Sequence, residues 1–232
     1  MPRLIPLFAN LALCACQSAP THDPPVGAST SSHAASIDTQ ALRLPGTWSE
    51  LATRADFEAR FGAANVRLVE ARDGDAVSRS LVLFADDPRR RATVRFHDDR
   101  ALALLAAIEV RDADSLWRGK HGVRVGMTLA EVRRINGKPF HLSGFDAEKR
   151  ARARDQWSPA LDDADDRLGA LDVDGDDRLY FGVDFALGPA AADGDWPRDE
   201  YFSSDDPRWP ALGDALVVSA FTAWSSLDDE WQ

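Results

Sequence analysis

The chain has 232 residues, of which 44% are hydrophobic and seven are Trp, enough material for a sizeable core. Its 38 Asp and Glu against 27 Lys and Arg give a net charge of −11, which argues against nucleic acid or anionic lipid headgroups as main partners. Both cysteines, Cys14 and Cys16, lie in the first sixteen residues, so the rest must fold without a disulfide framework, a Cys-ligated zinc or a Cys nucleophile.

At the N-terminus a single positive charge, Arg3, precedes an apolar run from Leu4 to Ala15 that Pro6 and Asn10 interrupt. The run is shorter than the about 20 apolar residues a membrane-spanning helix needs, and reads as an export signal over residues 1–15. Leu13-Cys14-Ala15-Cys16 resembles the lipobox of bacterial lipoproteins. There the cysteine thiol is diacylated, the chain is cut before that cysteine, and the new amino terminus is acylated. The resemblance implies lipidation at Cys16 with fatty acids such as palmitate, and a mature chain of 217 residues with 26 basic and 38 acidic side chains. Gln17 stands where inner-membrane lipoproteins carry Asp, so the resemblance implies the periplasmic face of the outer membrane.

Residues 16–41 are rich in Ser, Thr, Ala, Pro and His, with Val26 and Ile37 the only larger aliphatics. Such a segment buries too little apolar surface to offset ordering and reads as a flexible tether. At roughly 5–6 Å × √n, it holds the folded part of the chain some 25–30 Å from its anchor.

From 42 onward the pattern predicts an α+β fold of two tandem modules, at 42–118 and 119–232. Each is a short helix on an antiparallel sheet of about three to four strands. Thr53-Arg-Ala-Asp56 and Thr128-Leu-Ala-Glu131 both have capping-box spacing, in which the Thr hydroxyl takes the amide three residues on and the carboxylate reaches back. Phe57 and Val132 follow at cap+4, Gly62 and Gly137 at cap+9, where glycine suits a helix stop. Strands are predicted at 66–71, 80–85 and 92–97. Ala92, Val94 and Phe96 share one face there, and Thr93, Arg95 and His97 the other. A fourth, 104–110, is predicted to turn Ala106, Ile108 and Val110 inward. In the second half Leu179, Phe181, Val183 and Phe185 oppose Arg178, Tyr180, Gly182 and Asp184. The last strand, 216–224, is predicted to put Val218, Ala220 and Trp224 on one face and Phe221 on the other.

The stretch Gly122-Val-Arg-Val-Gly-Met127-Thr128-Leu-Ala-Glu131-Val132-Arg-Arg-Ile135-Asn-Gly137-Lys-Pro139 is similar to the helix-opening motif of BamE-type outer-membrane lipoproteins. It is similar too to the related modules of β-lactamase inhibitory proteins. The resemblance implies a strand through Val123 and Val125, a cap at Thr128, core positions Val132 and Ile135, and an exit at Gly137 and Pro139. These positions are structural and carry no catalytic residue; protein binding follows by analogy alone. An acidic insertion around 146–178 has no counterpart in that motif.

Asp172, Asp174 and Asp176 have the 1, 3, 5 spacing with which a calcium loop gathers oxygens. However, position 6 is Asp177 rather than Gly and position 12 is Val183 rather than Glu, so the segment reads as a solvated turn and no metal site is assigned. His97-Asp98-Asp99 sits on a polar strand face running into a turn, with no second histidine at ligand spacing. Lys149, Arg150, Arg152 and Arg154 form a basic island that no single helical face collects, and reads as a solvated segment. Trp196, Trp209 and Tyr201 stand in a loop-like region, either as a cap over the sheet or as a platform for a sugar or a protein. No hydrolase, metalloprotease or phosphate-loop motif occurs, so no catalytic residue and no cofactor is assigned. The sequence therefore predicts a non-enzymatic envelope lipoprotein, held on the membrane by its N-terminal lipid, that binds an envelope protein. The alternative is a periplasmic cell-wall glycan-binding protein or hydrolase that uses the Trp-rich C-terminal region.

Overall fold

Two capping boxes start the two longer helices. In the computed structural model the Asp56 carboxylate accepts from the Thr53 amide and hydroxyl, both at 2.8 Å, at the head of α1 (Arg54–Phe61). Glu131 repeats this on the Thr128 amide at 2.8 Å, and its own amide donates to the Thr128 hydroxyl at 3.2 Å, opening α2 (Leu129–Asn136). Gly62 and Gly137 end them with φ of 85° and 79°, a backbone region that side chains with a Cβ rarely enter. The structure describes residues 41–146, 149–153, 157, 169–172, 178–189, 191, 196–198 and 201–226, all within the unit Ile37–Gln232.

The described residues form nine strands in chain order: β1 (Val66–Asp73), β2 (Ala76–Leu83), β3 (Ala92–Asp98), β4 (Ala103–Val110), β5 (His141–Leu142), β6 (Arg150–Ala153), β7 (Tyr180–Leu187), β8 (Phe202–Ser203) and β9 (Leu216–Trp224). A four-residue helix, α3 (Leu212–Ala215), leads into β9. The fold is α+β, as expected, but the sheet is larger than expected. Seven strands run β1-β2-β3-β4-β9-β7-β6, every neighbouring pair antiparallel, and β5 and β8 form a separate two-stranded ladder. One continuous sheet replaces two short ones because β4 and β9 pair over Ala107–Val110 and Phe221–Trp224.

The helices cover one face of this sheet. Phe57 stacks on Trp48 at 4.2 Å and meets Phe96 edge-on at 6.1 Å, while Phe61 meets Phe84 and Trp117 edge-on. In the second half Trp157 packs between Phe140 and Phe181, and Phe181 meets Phe221. The two most deeply buried indoles are satisfied: Trp117 Nε1 donates to the Arg90 carbonyl at 2.6 Å and Trp157 Nε1 to the Phe181 carbonyl at 2.9 Å. Each fully buried aromatic contributes on the order of 2–3 kcal/mol. Together they hold a disulfide-free sheet against its helices.

Two face assignments are corrected. Leu105, not Ala106, turns inward, because Arg95 pairs with Ala107 while the next residue, Phe96, pairs with Leu105, leaving Ala106 as a bulge. On β9, Asp184 pairs with Ala220 but Phe185 with Val218, so Ser219 bulges and the alternation changes phase. Leu216, Val218, Phe221 and Ala223 therefore join the core, while Ala220 and Trp224 face the other way. One inserted residue moves every later side chain to the opposite face.

Three other expectations change. The hairpin β1–β2 is longer than its predicted strands, turning at Gly74-Asp75 with Asp73 opposite Ala76. Val123 and Val125 are buried but form no ladder: Gly126, at φ 85°, breaks the extended run, and Thr128 alone bridges Val217. The basic island is no solvated segment either. Arg150-Ala-Arg-Ala153 alternates at period two and forms edge strand β6, paired with Val183–Ala186.

Asn136 ties Trp157 and Leu171 to the end of α2. Its side-chain amide donates to the Trp157 carbonyl at 2.8 Å and the Lys138 carbonyl at 3.0 Å, and its oxygen accepts from the Leu171 amide at 3.1 Å. Gly169 passes so close that a Cβ there would lie 2.1 Å from Asn136 Oδ1 and 2.2 Å from the Trp157 carbonyl oxygen.

Candidate functional site

The sheet face opposite the helices is polar, and the strand register fixes what it displays. Thr93, Glu109, Thr222 and Gly182 form one row across β3, β4, β9 and β7; Arg95, Ala107, Trp224 and Tyr180 form the next. Beyond the first row lie Ala220, Asp184 and Arg152, with Arg111 just past the end of β4.

Ion pairs cross this face from strand to strand. Arg111 donates to Glu109 from Nε at 2.5 Å and from Nη2 at 3.0 Å, and Arg95 approaches the same carboxylate at 3.6 Å. Arg111 Nη2 also lies 3.8 Å from Asp184 Oδ2, and Arg152 Nε lies 3.5 Å from Asp184 Oδ1. Arg152 then reaches Asp146 at 3.9 Å, which Arg150 holds at 3.2 Å. Signs alternate along the whole series, which is how a buried carboxylate is kept from costing several kcal/mol. The hydrogen bond to Glu109 raises the Arg111 pKa above its ordinary value by more than burial lowers it, with Asp184 adding to the rise.

The series has a direction normal to the sheet. Glu109 and Asp184 are 9% and 2% exposed, whereas the side chains of Arg95 and Arg111 are 49% and 43% exposed. Carboxylates lie beneath and guanidiniums on top. At one end of the face Arg91 clasps Asp112 through two hydrogen bonds, at 2.6 and 3.0 Å. Arg91, Thr93, Glu109, Arg111 and Asp112 there line a depression of about 240 Å³, below the roughly 300–1,000 Å³ of small-molecule sites. At the other end Tyr180 stacks on Trp224 with centroids 4.6 Å apart.

His97, the histidine of this face, lies 3.1 Å from Ser225 through Nε2. The Ser225 hydroxyl donates in turn to the Leu105 carbonyl at the Ala106 bulge. A hydroxyl already donated to a carbonyl receives the imidazole N–H rather than giving up its proton, which is the reverse of a nucleophile–base pair. Asp98 and Asp99 do not join His97: Asp98 accepts from the Arg100 and Ala101 amides in the turn, and Asp99 from the Arg79 amide.

The residues singled out from sequence lie elsewhere. Cys16, Asp174, Asp176 and Arg154 fall outside the described residues. The Asp172 carbonyl accepts from the Lys120 ammonium, and among the described residues no three His, Cys, Asp or Glu side chains group to hold a metal. Trp196 and Trp209 are partly buried against the core. Trp209 meets Phe202 edge-on at 6.0 Å, with the Arg208 guanidinium 4.2 Å over its ring. Tyr201 is 65% exposed. Sequence reasoning missed Glu109, Arg111, Arg152 and Asp184 as a group. Period-two alternation put Asp184 on the polar face, but no local signal joins it to Arg111.

No protein-family model matches this chain, and no curated protein matches it. Among solved structures it is similar to the uncharacterised protein YfeY from Escherichia coli, with a TM-score of 0.42 and 12% sequence identity over 77% of this chain and 91% of that one. No helix among the described residues is long and apolar enough to cross a membrane.

Proposed function

We propose that this protein is a non-enzymatic envelope lipoprotein, anchored through Cys16 at the periplasmic face of the outer membrane, that docks another protein on the polar face of its sheet. The observation that carries the docking surface is the layering of charge: four arginines, 36–49% exposed, lie over carboxylates that are 2–31% exposed, in a chain of net charge −11. Arginine is enriched at protein interfaces, where its planar fork makes several directed hydrogen bonds. The carboxylates a hydrolase would use as acid and base are here engaged by guanidiniums, which favours binding over catalysis.

The chain is, in this reading, two tandem modules at 42–118 and 119–232 joined at β4 and β9. Register supports the duplication. Arg95-Phe96 faces Leu105-Ala106-Ala107 across the first bulge, and Asp184-Phe185 faces Val218-Ser219-Ala220 across the second. Each half opens with a Thr-headed capping box. The last strand of one half pairs antiparallel with the last strand of the other, as a local twofold axis between equivalent strands requires.

The alternative, glycan binding through Trp196, Tyr201 and Trp209, draws on the exposure of Tyr201. Photo-crosslinking in the native envelope separates the two. A benzophenone amino acid at position 95 is expected to give a discrete protein adduct and one at 201 none; protein adducts from 201 alone would remove the basis for docking on the polar face.

A further inference from the structure

We infer that Asn136-Gly137 is a latent deamidation site, closed by the fold and opened when the chain unfolds, and that reaction there blocks refolding. Of the three asparagines in the chain, Asn10, Asn65 and Asn136, only Asn136 precedes a glycine. Glycine carries no Cβ to screen its own amide nitrogen, so in an unfolded chain this thermolabile side chain is the one most open to ring closure. The Gly137 nitrogen attacks Asn136 Cγ and gives up its proton, the side-chain nitrogen leaves as ammonia, and a cyclic succinimide forms. Water then opens the ring at either carbonyl, leaving aspartate or isoaspartate at position 136. Nothing is oxidised or reduced.

The folded chain withholds each requirement of that reaction. The attacking nitrogen must be free, but the Gly137 amide donates to the Arg133 carbonyl at 3.0 Å as α2 stops. The side chain must swing onto that nitrogen. Its Nδ2 instead donates to the Trp157 and Lys138 carbonyls at 2.8 and 3.0 Å, and Oδ1 accepts from the Leu171 amide at 3.1 Å. The Asn136 carbonyl accepts from the Ala170 amide at 3.0 Å, and a Cβ on Gly169 would lie 2.1 Å from Oδ1, so the main chain is closed over the amide. Water must enter, yet Asn136 is 2% exposed. Reaction therefore waits on opening of the helix exit, and its rate scales with the population of the open form.

The products do not fit the place they come from. An ionised aspartate only accepts hydrogen bonds, so the Trp157 and Lys138 carbonyls would lose their donor and face a buried negative charge. Isoaspartate carries the main chain through Cβ and lengthens it by one atom where α2 ends. An unfolding event that lasts long enough for ring closure thus becomes irreversible.

The test holds the full chain in neutral detergent at mildly alkaline pH, with and without guanidinium chloride, and follows positions 65 and 136 by peptide mass mapping. In denaturant, position 136 is expected to deamidate well ahead of position 65. In the native chain, reaction at 136 should be at least about tenfold slower than in denaturant, because it waits on local opening. Partly reacted chain is then diluted out of denaturant and its folded and unfolded fractions are separated by size. Deamidated 136 should collect in the unfolded fraction and be depleted from the folded one. Asn136→Asp, which carries one product from the start, should refold in lower yield than the parent. Equal rates at 136 with and without denaturant would overturn the inference, as would position 65 reacting first in the unfolded chain. Deamidated chain divided evenly between the two fractions, or Asn136→Asp refolding as well as the parent, would overturn the block to refolding.

Discussion

Arg111 binds Glu109 with both of its forward donors, Nε at 2.5 Å and Nη2 at 3.0 Å, at the end of a central strand. A bidentate pair at the end of β4 fixes that strand where it meets β9, and the same guanidinium faces Asp184 on the next strand but one. Removing it weakens the pairing of two carboxylates that are 9% and 2% exposed, with Arg95 still 3.6 Å from Glu109 and Arg152 3.5 Å from Asp184. Arg111→Met is expected to cost about 2–3 kcal/mol, less than for a wholly buried pair because the arginine is partly hydrated. Glu109→Met in the same chain should recover part of that loss. Urea unfolding followed by Trp fluorescence reads both; an Arg111→Met chain as stable as the parent would contradict the coupling.

A second expectation concerns Asn136, which is 2% exposed and satisfies backbone groups of Lys138, Trp157 and Leu171. Asn136→Leu keeps the branched shape but leaves those groups without their partner, and should cost about 2–4 kcal/mol. Gly169→Ala should destabilise as well, by forcing Asn136 and the Trp157 carbonyl apart. Limited proteolysis should then degrade the chain at lower protease concentrations than the parent; unchanged degradation would show that Asn136 does not hold Trp157 and Leu171 in place.

The fold was legible wherever a signal is local. Thr53, Asp56, Thr128 and Glu131 announce two helix starts, and alternation finds the core sides of β3 and β7. The Gly74 turn and the Arg-Ala-Arg-Ala alternation of β6 were equally local signals, visible as Asp73-Gly74 and as period two. The bulges at Ala106 and Ser219 were not legible. Alanine and serine are ordinary within a strand, and a bulge is defined only by the partner it skips. The arginine series was hidden for the same reason: Arg111, Asp184 and Arg152 become neighbours only when β4, β9, β7 and β6 pair.

The capping boxes make a pH-dependent prediction. The Thr53 amide and hydroxyl hold the Asp56 carboxyl below the usual carboxylate range. Its folded pKa is thus lower than its unfolded value of about 4, so the stabilisation is complete above that value and is lost as pH falls through the folded one. Asp56→Asn should be less stable than the parent at pH 7, with the gap closing below about pH 4. Thr128→Ala, which removes the other cap, should cost about 1 kcal/mol at neutral pH. A gap for Asp56→Asn that is constant from pH 7 to 3 would contradict the first expectation.

Anchoring has its own readout. Cells expressing the chain and fed labelled palmitate should incorporate label into the parent and none into Cys16→Ser, with the variant released to the soluble periplasmic fraction. Equal labelling of both would assign the lipid elsewhere or to nothing.

Site-specific photo-crosslinking on the polar face tests the central claim most directly. With the benzophenone amino acid at position 95, a discrete adduct to one envelope protein is expected, and from position 51, exposed in the segment before α1, none. Adducts equally abundant and diffuse from 95 and 51, or absent from 95 altogether, would contradict the assignment of this face as a protein-docking surface.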